Sequence, residues 1–443
     1  MKRVVLVNPP ALYLIDPHCQ APLGLMYLSA SLKAVGIPCE IMNLVGVPHD
    51  EIRFPPDVAW VGITSTSLDY PSALTVKEKA RQQLSGVNVV IGGPHATAMR
   101  EDVQKQGWDY VVCGECERDI AGFHRNVFSR PALPKPLGRV LQGHRVRNLD
   151  LLPYPDREGI DVIGGDIFID RAHYAEGRAS STSISFSRGC VYSCAFCSLK
   201  AVAGRGVRYR SPEGVRAEVT HCFEKHGIRE YRLVDDCLNF DTEKMLSIAR
   251  AISDLNVYWR ASFTVNRDNR GEVYRELFAS GCRELSFGVE SGDPNVLKVL
   301  NKHQSLEQCR EALSAATAAG IKTRILMIMG CPGETEATLS RNITFCESVP
   351  HTSVALKKFV PLPGSPIYEH PEQFGCEIVN RNWEDYNFYL YGRDETTGQV
   401  RRVTPVSLIR CSTIDPKRQM AHLQAMERYL EKRRKSMWAP EEG

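Results

Sequence analysis

The stretch ATAAGIKTRILMIMG, residues 316–330, passes from alanine-rich sequence through Gly320 into a long apolar run. Helix formers stop at a glycine, and a strand-like segment follows at once. Glycine just past a helix suits the left-handed position that other residues resist. The same order recurs at Gly36 in SASLKAVGIPCEIMNL, at Gly107 in DVQKQGWDYVVCGE, at Gly227 in HCFEKHGIREYRLVDD and at Gly281 in LFASGCRELSFGVES. Leu25, Leu28, Leu32 and Val35 repeat at helical spacing before Gly36, and Ala73, Val76, Ala80 and Leu84 do so in the next unit. The runs VAWVGITS, VNVVIGG, ELSFGVE and RILMIMG are short and continuously apolar. Apolar strands alternating with amphipathic helices predict a parallel sheet covered by helices, hence an α/β fold.

The alternation breaks once, across about residues 130–178, where RPALPKPLGRV and NLDLLPYPDREG are rich in proline, glycine and charge. This predicts two α/β domains, residues 1–135 and 181–365, joined by a linker at 136–180 and followed by an α-rich extension at 366–443. A basic amphipathic helix, KRQMAHLQAMERYLEKRRKS, closes the chain; Leu423, Met426 and Leu430 form its docking stripe. The net charge of +3 is too small to argue for nucleic acid or an anionic membrane. No apolar run approaches the roughly 20 residues of a membrane span. Fifteen cysteines scattered over 443 residues do not look like a secreted disulfide scaffold. Free thiols in a reducing cytoplasm are the expectation.

Three of those cysteines stand apart. SRGCVYSCAFCSLK, residues 187–200, holds Cys190, Cys194 and Cys197 in the spacing C-x3-C-x2-C, directly after the strand-like STSISFSRG. Structural zinc wants four ligands, and the next cysteine, Cys222, is 25 positions on. Three close thiolates suit a [4Fe–4S] cluster with one iron left open to an external ligand. A zinc knuckle or three core cysteines is the bland alternative.

C-x3-C-x2-C after a first strand, with Phe196 before the last cysteine, resembles the radical S-adenosylmethionine (SAM) superfamily. That resemblance implies a partial (β/α)6 barrel in which SAM chelates the open iron and is cleaved to a 5′-deoxyadenosyl radical. It extends over residues 181–365. YRLVDDCLNF resembles the second strand and places Asp235 and Asp236 beside the methionine end of SAM, or as caps of the following helix. ASFTVN resembles the third, with Ser262 and Asn266 near its end. LSFGVESGD resembles the fourth, with Glu290 and Ser291 toward SAM. ILMIMGCPGETEAT resembles the fifth with its Gly-x-Pro-Gly-Glu-Thr turn, and FVPLPGSPIYE the sixth. Phe196 is expected against the adenine.

The first domain reads as five strands: RVVLVNPP, PCEIMNL, AWVGITS, NVVIGG and YVVCGE. No G-x-G-x-x-G follows the first, so a dinucleotide site has little support. Its strand ends carry glycines and small hydroxyls instead. NPP, PLGLMYLSASL, IGGPH and VVCGECE resemble, in order, the cobalamin-binding domain that precedes some radical SAM cores. The resemblance implies cobalamin contacts from Asn8, Pro9, Thr64, Ser65, Ser67, Gly92, Gly93, Pro94, His95, Gly114 and Glu115, with Glu117 completing a Gly-Glu-x-Glu ending. Asp16 and His18 fit part of the Asp-x-His-x-x-Gly motif that ligates cobalt from below, but Ala21 stands where its glycine belongs. His18 is therefore read as coincidence, and His95 as a tail contact or a structural residue.

Together the resemblances imply a cobalamin-dependent radical SAM enzyme, most often a methyltransferase for carbon or phosphorus, acting on a small biosynthetic metabolite. Rearrangement, ring contraction or cyclisation with the same cofactors is the alternative, and a non-catalytic iron–sulfur or cobalamin carrier is another. An external one-electron donor such as flavodoxin or ferredoxin is implied; a nucleic acid or membrane partner is not expected. In NRNWEDYNFYLYGRD, Trp383, Asp385, Tyr386 and Tyr391 are candidate substrate contacts, although an aromatic cluster is more often core.

Overall fold

In the computed structural model, residues 2–11, 13–14, 21–128, 138–158, 160, 168, 174–175, 180–265, 268–394 and 399–437 are described. Asp16, His18 and Asn266 lie outside them.

The first sheet is wholly parallel: β1 Arg3–Asn8, β2 Cys39–Asn43, β3 Val58–Thr64, β4 Asn88–Gly92, β5 Tyr110–Cys113 and β6 Arg139–Gln142, in the spatial order β2-β1-β3-β4-β5-β6. Alternate residues serve opposite faces, as a pleated strand requires. Val5, Val7, Val61, Ile63, Val89 and Ile91 pack under Ala73, Val76 and Ala80 of the helix Tyr70–Gln83. Val4, Leu6, Trp60 and Val90 pack on the other face against Leu25, Leu32, Ile120 and Val127. Five strands were expected here. The sixth comes from RVLQ, which the sequence places in the linker; the proline-rich run just before it hides a four-residue strand that pairs with β5.

The second sheet is also parallel: β7 Ser180–Ile184, β10 Ile228–Leu233, β11 Tyr258–Phe263, β12 Cys282–Glu290, β13 Lys322–Met329 and β14 Ser353–Lys358 follow one another in sequential order, an open barrel. Between β7 and β10, the short strands β8 Ser187–Arg188 and β9 Arg208–Tyr209 pair antiparallel and bracket the cysteines. The outer face buries Tyr231, Trp259, Leu285, Phe287, Ile325 and Met327 under the helices. The inner face is polar, with Ser183, Arg232, Arg260 and Glu284 side by side in register. The last strand lies one segment before FVPLPGSPIYE. Pro361 and Pro363 cannot donate to a ladder, so that stretch forms the loop at the strand's carboxyl end.

Gly36, Gly107, Gly227, Gly281 and Gly320 all take positive φ, from 66° to 98°. The extension is less helical than expected. Two small antiparallel pairs, Cys376–Ile378 with Ile409–Cys411 and Tyr391–Arg393 with Val400–Arg402, precede the helix Pro416–Met437. Leu423 and Met426 of that helix are buried in the barrel's outer core, with Leu430 packed beside them.

Candidate active site

The three cysteines sit half-buried in the loop after β8, at the carboxyl end of the barrel. The loop is pinned on several sides. Ala195 N–H donates to Leu300 O at 2.9 Å, and Ile367 N–H donates to Ala195 O at 3.0 Å. Gly206 N–H donates to Cys190 O at 3.1 Å. Tyr192 N–H points at the Cys190 sulfur at 3.4 Å. A buried fourth thiol, Cys237, lies beside Cys190, and its interaction lowers the Cys190 thiol below its ordinary value. Burial pushes Cys194 up, and Cys197 to about 11. Among the described residues no three His, Cys, Asp or Glu side chains form a preformed metal cage. The donor chemistry still fits a [4Fe–4S] cluster: three thiols on one loop, at a strand end, with no carboxylate or imidazole among them.

Asp235 and Asp236 organise this loop. Asp235 is buried and accepts from Phe186 N–H at 3.1 Å, from the Ser187 hydroxyl at 2.6 Å and from Ser187 N–H. Burial pushes its carboxyl up to about 7. Asp236 accepts from Gly189 N–H at 2.8 Å, immediately before Cys190. These bonds go to the turn that presents the cysteines and not to open space; neither aspartate caps the next helix, whose N-cap is Asp241.

On the opposite side of the loop stands a pair that sequence reading half found. Glu290 accepts from Lys302, whose side chain keeps only 6% of its exposure, at 3.1 Å, and the Lys302 ammonium lies 5.9 Å from the centre of the Phe196 ring. Lys302 carried no local signal, because a lysine gains meaning here only through contacts made in space. Ser291 is tied internally, bonding Asn342 Oδ1 at 3.1 Å and receiving Asp293 N–H at 3.1 Å. Ser262 opens into a cavity of about 210 Å³ inside the barrel, beside Arg232 and Arg260. Glu334 of the Gly-x-Pro-Gly-Glu-Thr turn accepts from Gly330 N–H at 2.8 Å and is reached by Gln419 of the last helix at 3.4 Å, a turn-and-dock role.

Two cavities run along the first sheet. One, of about 570 Å³, is bounded by Asn8, Thr64, Ser67 and Pro94 on the first sheet's side, and by Ser198 and Val234 of the barrel. Ser198 follows Cys197 directly, and Val234 precedes Asp235. The second, of about 280 Å³ and largely apolar, lies between the helices Leu23–Ala34 and Ile120–Phe128 and the sheet, with Gly92, Gly93, Gly114 and Glu115 on its wall. Gly24, Leu25, Thr64 and Pro94 border both, so the two share a wall. An apolar slot that shares a wall with a larger chamber suits a corrinoid with a threaded nucleotide tail.

Three expected cobalamin contacts stand off these cavities. Pro9 is buried and borders neither. Ser65 bonds Thr66 O and Asp69 within the fold. His95 is buried, stacked 4.0 Å from Tyr70 and edge-on to Trp383 at 4.8 Å, with Ser67 on Nδ1 at 2.9 Å. Burial pushes its imidazole down to about 4, so it stays neutral. Glu115 borders the tail slot, but its carboxylate is spent on Arg208 and Val146 N–H.

The four candidate substrate residues do not face the chamber. Tyr386 is fully buried with Val360, Tyr368 and Leu408, and Trp383 packs on Tyr70 and His95. Asp385 accepts from Asn380, and Tyr391 donates to Glu431 at 2.6 Å. Their neighbours Phe388 and Tyr389 line the chamber instead, with Tyr389 stacked 5.4 Å from Tyr13 and Lys357 3.2 Å from its ring centre. The expected segment thus reaches the chamber, through side chains other than the four named from the sequence.

Comparison with known proteins agrees with this layout. Residues 184–346 match the Radical SAM superfamily and residues 17–123 the B12 binding domain. An uncharacterized methyltransferase of Pyrococcus horikoshii is 27% identical over 415 residues, covering 87% of this chain and 86% of that protein. The bacteriochlorophyllide d C-12(1)-methyltransferase of Chlorobaculum tepidum is 25% identical over 334 residues, 75% of this chain and 69% of that one. The radical SAM methyltransferase TsrM of Kitasatospora setae, solved with cobalamin and a [4Fe–4S] cluster, superposes with a TM-score of 0.66 at 18% identity, covering 96% of this chain and 89% of its own. Among the described residues no helix is long and apolar enough to cross a membrane.

Proposed function

Because the chain belongs to the cobalamin-dependent family of radical SAM enzymes, we propose that it methylates an unactivated centre of a small biosynthetic metabolite. Its cofactors are a [4Fe–4S] cluster, SAM and cobalamin. When bound, the cluster would supply the electron that splits SAM into an acceptor-activating radical, and cobalamin would supply the methyl group. Cys190, Cys194 and Cys197 would hold the cluster. Asp235 and Asp236 fix the turn that carries them. Glu290, Lys302 and Phe196 would receive SAM, with the Lys302 ammonium available to its carboxylate and Glu290 to its amino or ribose groups. Thr64, Ser67, Gly92, Gly93, Pro94 and Gly114 would cradle the corrinoid, and Tyr13, Phe388 and Tyr389 would flank the acceptor and exclude water.

One observation carries this reading. The 570 Å³ chamber has walls from both domains, with Ser198 beside Cys197 on one side and Thr64, Ser67 and Pro94 on the other. A radical source and a methyl carrier placed on those walls face the same volume, so an acceptor held there would meet both. The described cysteines are all free, which supports work in a reducing cytoplasm. A small electron carrier of the flavodoxin or ferredoxin kind is the proposed donor.

The test is anaerobic. Reconstituted chain with dithionite, hydroxocobalamin and methyl-deuterated SAM is expected to release 5′-deoxyadenosine and S-adenosylhomocysteine and to deliver the label to an acceptor. A fully loaded cluster that yields neither product contradicts the proposal.

A further inference from the structure

We propose that Arg188 is a positioning residue that clamps the cysteine loop onto the tail slot, so that cobalamin and the cluster strengthen each other's binding. The proposal rests on the cofactor assignment above and adds a physical link between the two sites.

Arg188 lies two residues before Cys190, and Arg208 closes the other side of the same loop; the two are direct cross-strand partners in the β8–β9 pair. Two cations side by side on a hairpin repel unless anions offset them. Both anions come from the loop after β5 of the first sheet. Arg188 meets Glu117 at 2.7 Å and Glu115 at 3.9 Å, while Arg208 forks onto Glu115, with one contact at 2.9 Å. The pairs are largely buried: the side chains of Arg188 and Glu117 keep only 19% and 7% of their exposure, so salt screens them little. Tyr27 of the helix Leu23–Ala34 lies under the Arg188 guanidinium at 4.8 Å. Arg145 adds a third tie, donating to Arg205 O at 2.7 Å and to Gly206 O at 3.4 Å, beside the strand partner of Cys190.

The clamp and the slot share their walls. The helix that carries Tyr27 also gives Gly24, Leu25 and Leu28 to the slot, and the loop that carries Glu117 gives Gly114 and Cys116. The barrel reaches back into it, because Val202 and Ala203 of the helix Leu199–Ala203, directly after Cys197, border the same slot. An occupant therefore touches the anion-bearing loop and the cysteine-bearing segment at once. Ordering either one lowers the cost of ordering the other, which is a coupling free energy and is reciprocal.

The test measures affinity and not turnover. The full chain, cluster-free or anaerobically reconstituted, is titrated with hydroxocobalamin and in parallel with cobinamide, which has the corrin ring but no nucleotide tail. Hydroxocobalamin is expected to bind roughly tenfold more tightly to the cluster-loaded chain, and cobinamide equally to both forms. Arg188→Met is expected to bring the hydroxocobalamin ratio to about one while iron stays at about four per chain; Arg188→Lys, which keeps a charge for Glu117, retains part of the ratio. Equal hydroxocobalamin affinity with and without cluster in the wild type overturns the proposal, and so does a cobinamide ratio as large as that of hydroxocobalamin. Failure of both corrinoids to bind overturns the cofactor assignment and the clamp with it, a result distinct from binding without coupling.

Discussion

Glu290 ends β12 with a left-handed backbone, φ 68°, and accepts the ammonium of Lys302 at 3.1 Å. A non-glycine residue in that region costs about 1–3 kcal/mol and persists where its surroundings force it. The ladder slips by one residue between Gly288 and Glu290, which aims the carboxylate back over the strand. Gly288 permits this, since a Cβ there would come within 2.7 Å of Glu290 Oε1. The strain is thus tied to one ion pair, at the strand end facing the cysteine loop.

Glu290→Gln is expected to destabilise the fold by about 3–5 kcal/mol, because it leaves a buried ammonium without its anion. The double variant Glu290→Gln/Lys302→Met is expected to be more stable than Glu290→Gln alone. Denaturant unfolding reads both, and SAM binding by either variant should weaken at least about tenfold, the factor that 1.4 kcal/mol represents.

Gly24→Phe separates the two cofactor sites. A Cβ on Gly24 meets nothing within 4 Å, yet the residue borders both the chamber and the slot. The substitution is expected to leave the corrin-free fold intact, or to stabilise it by about 0.4–1 kcal/mol through a stiffer unfolded chain. Bound corrin, read by its absorbance, should fall below roughly a tenth of the wild-type level, while iron per chain stays the same.

Glu334 makes a pH prediction. Burial pushes its carboxyl up to about 7 from 4.5. The folded chain therefore binds a proton that the unfolded chain has released between those values. Its contribution to stability is complete below pH 4.5 and is lost as pH rises through 7. Glu334→Gln removes that slope and keeps an acceptor for Gly330 N–H. The melting temperature of the variant minus that of the wild type should increase from pH 5 to pH 8; a flat difference contradicts the assignment.

Among the described residues, Cys237 is the cysteine outside the C-x3-C-x2-C triplet whose thiol interacts with a member of it. If it is a neighbour and not a ligand, Cys237→Ala reconstitutes with the same iron and sulfide as wild type. Alanine at Cys190, Cys194 or Cys197 should each abolish the cluster. Iron loss in Cys237→Ala would move it into the ligand set.

What the sequence made legible is local. Glycine-terminated helices and apolar strands gave both sheets, since periodicity and turn chemistry are written in neighbouring residues. The cysteine triplet was equally plain. The short β6 was hidden behind prolines, and the last barrel strand was placed one segment late, where Pro361 and Pro363 break the ladder. The pairings that join the halves were not legible, because Arg188 and Glu117 lie 71 positions apart. Lys302 was invisible for the same reason. The aromatic run at 383–391 was seen as a unit, but burial of Tyr386 and exposure of Tyr389 to the chamber depend on how the extension folds over the barrel.

The most direct test of the account is electron–nuclear double resonance on the reduced cluster with SAM labelled at its amino nitrogen and carboxylate oxygens. Couplings from both labels to one iron are predicted, since three cysteine thiolates leave that iron open. A protein ligand on each of the four irons, with no coupling to either label, would contradict it.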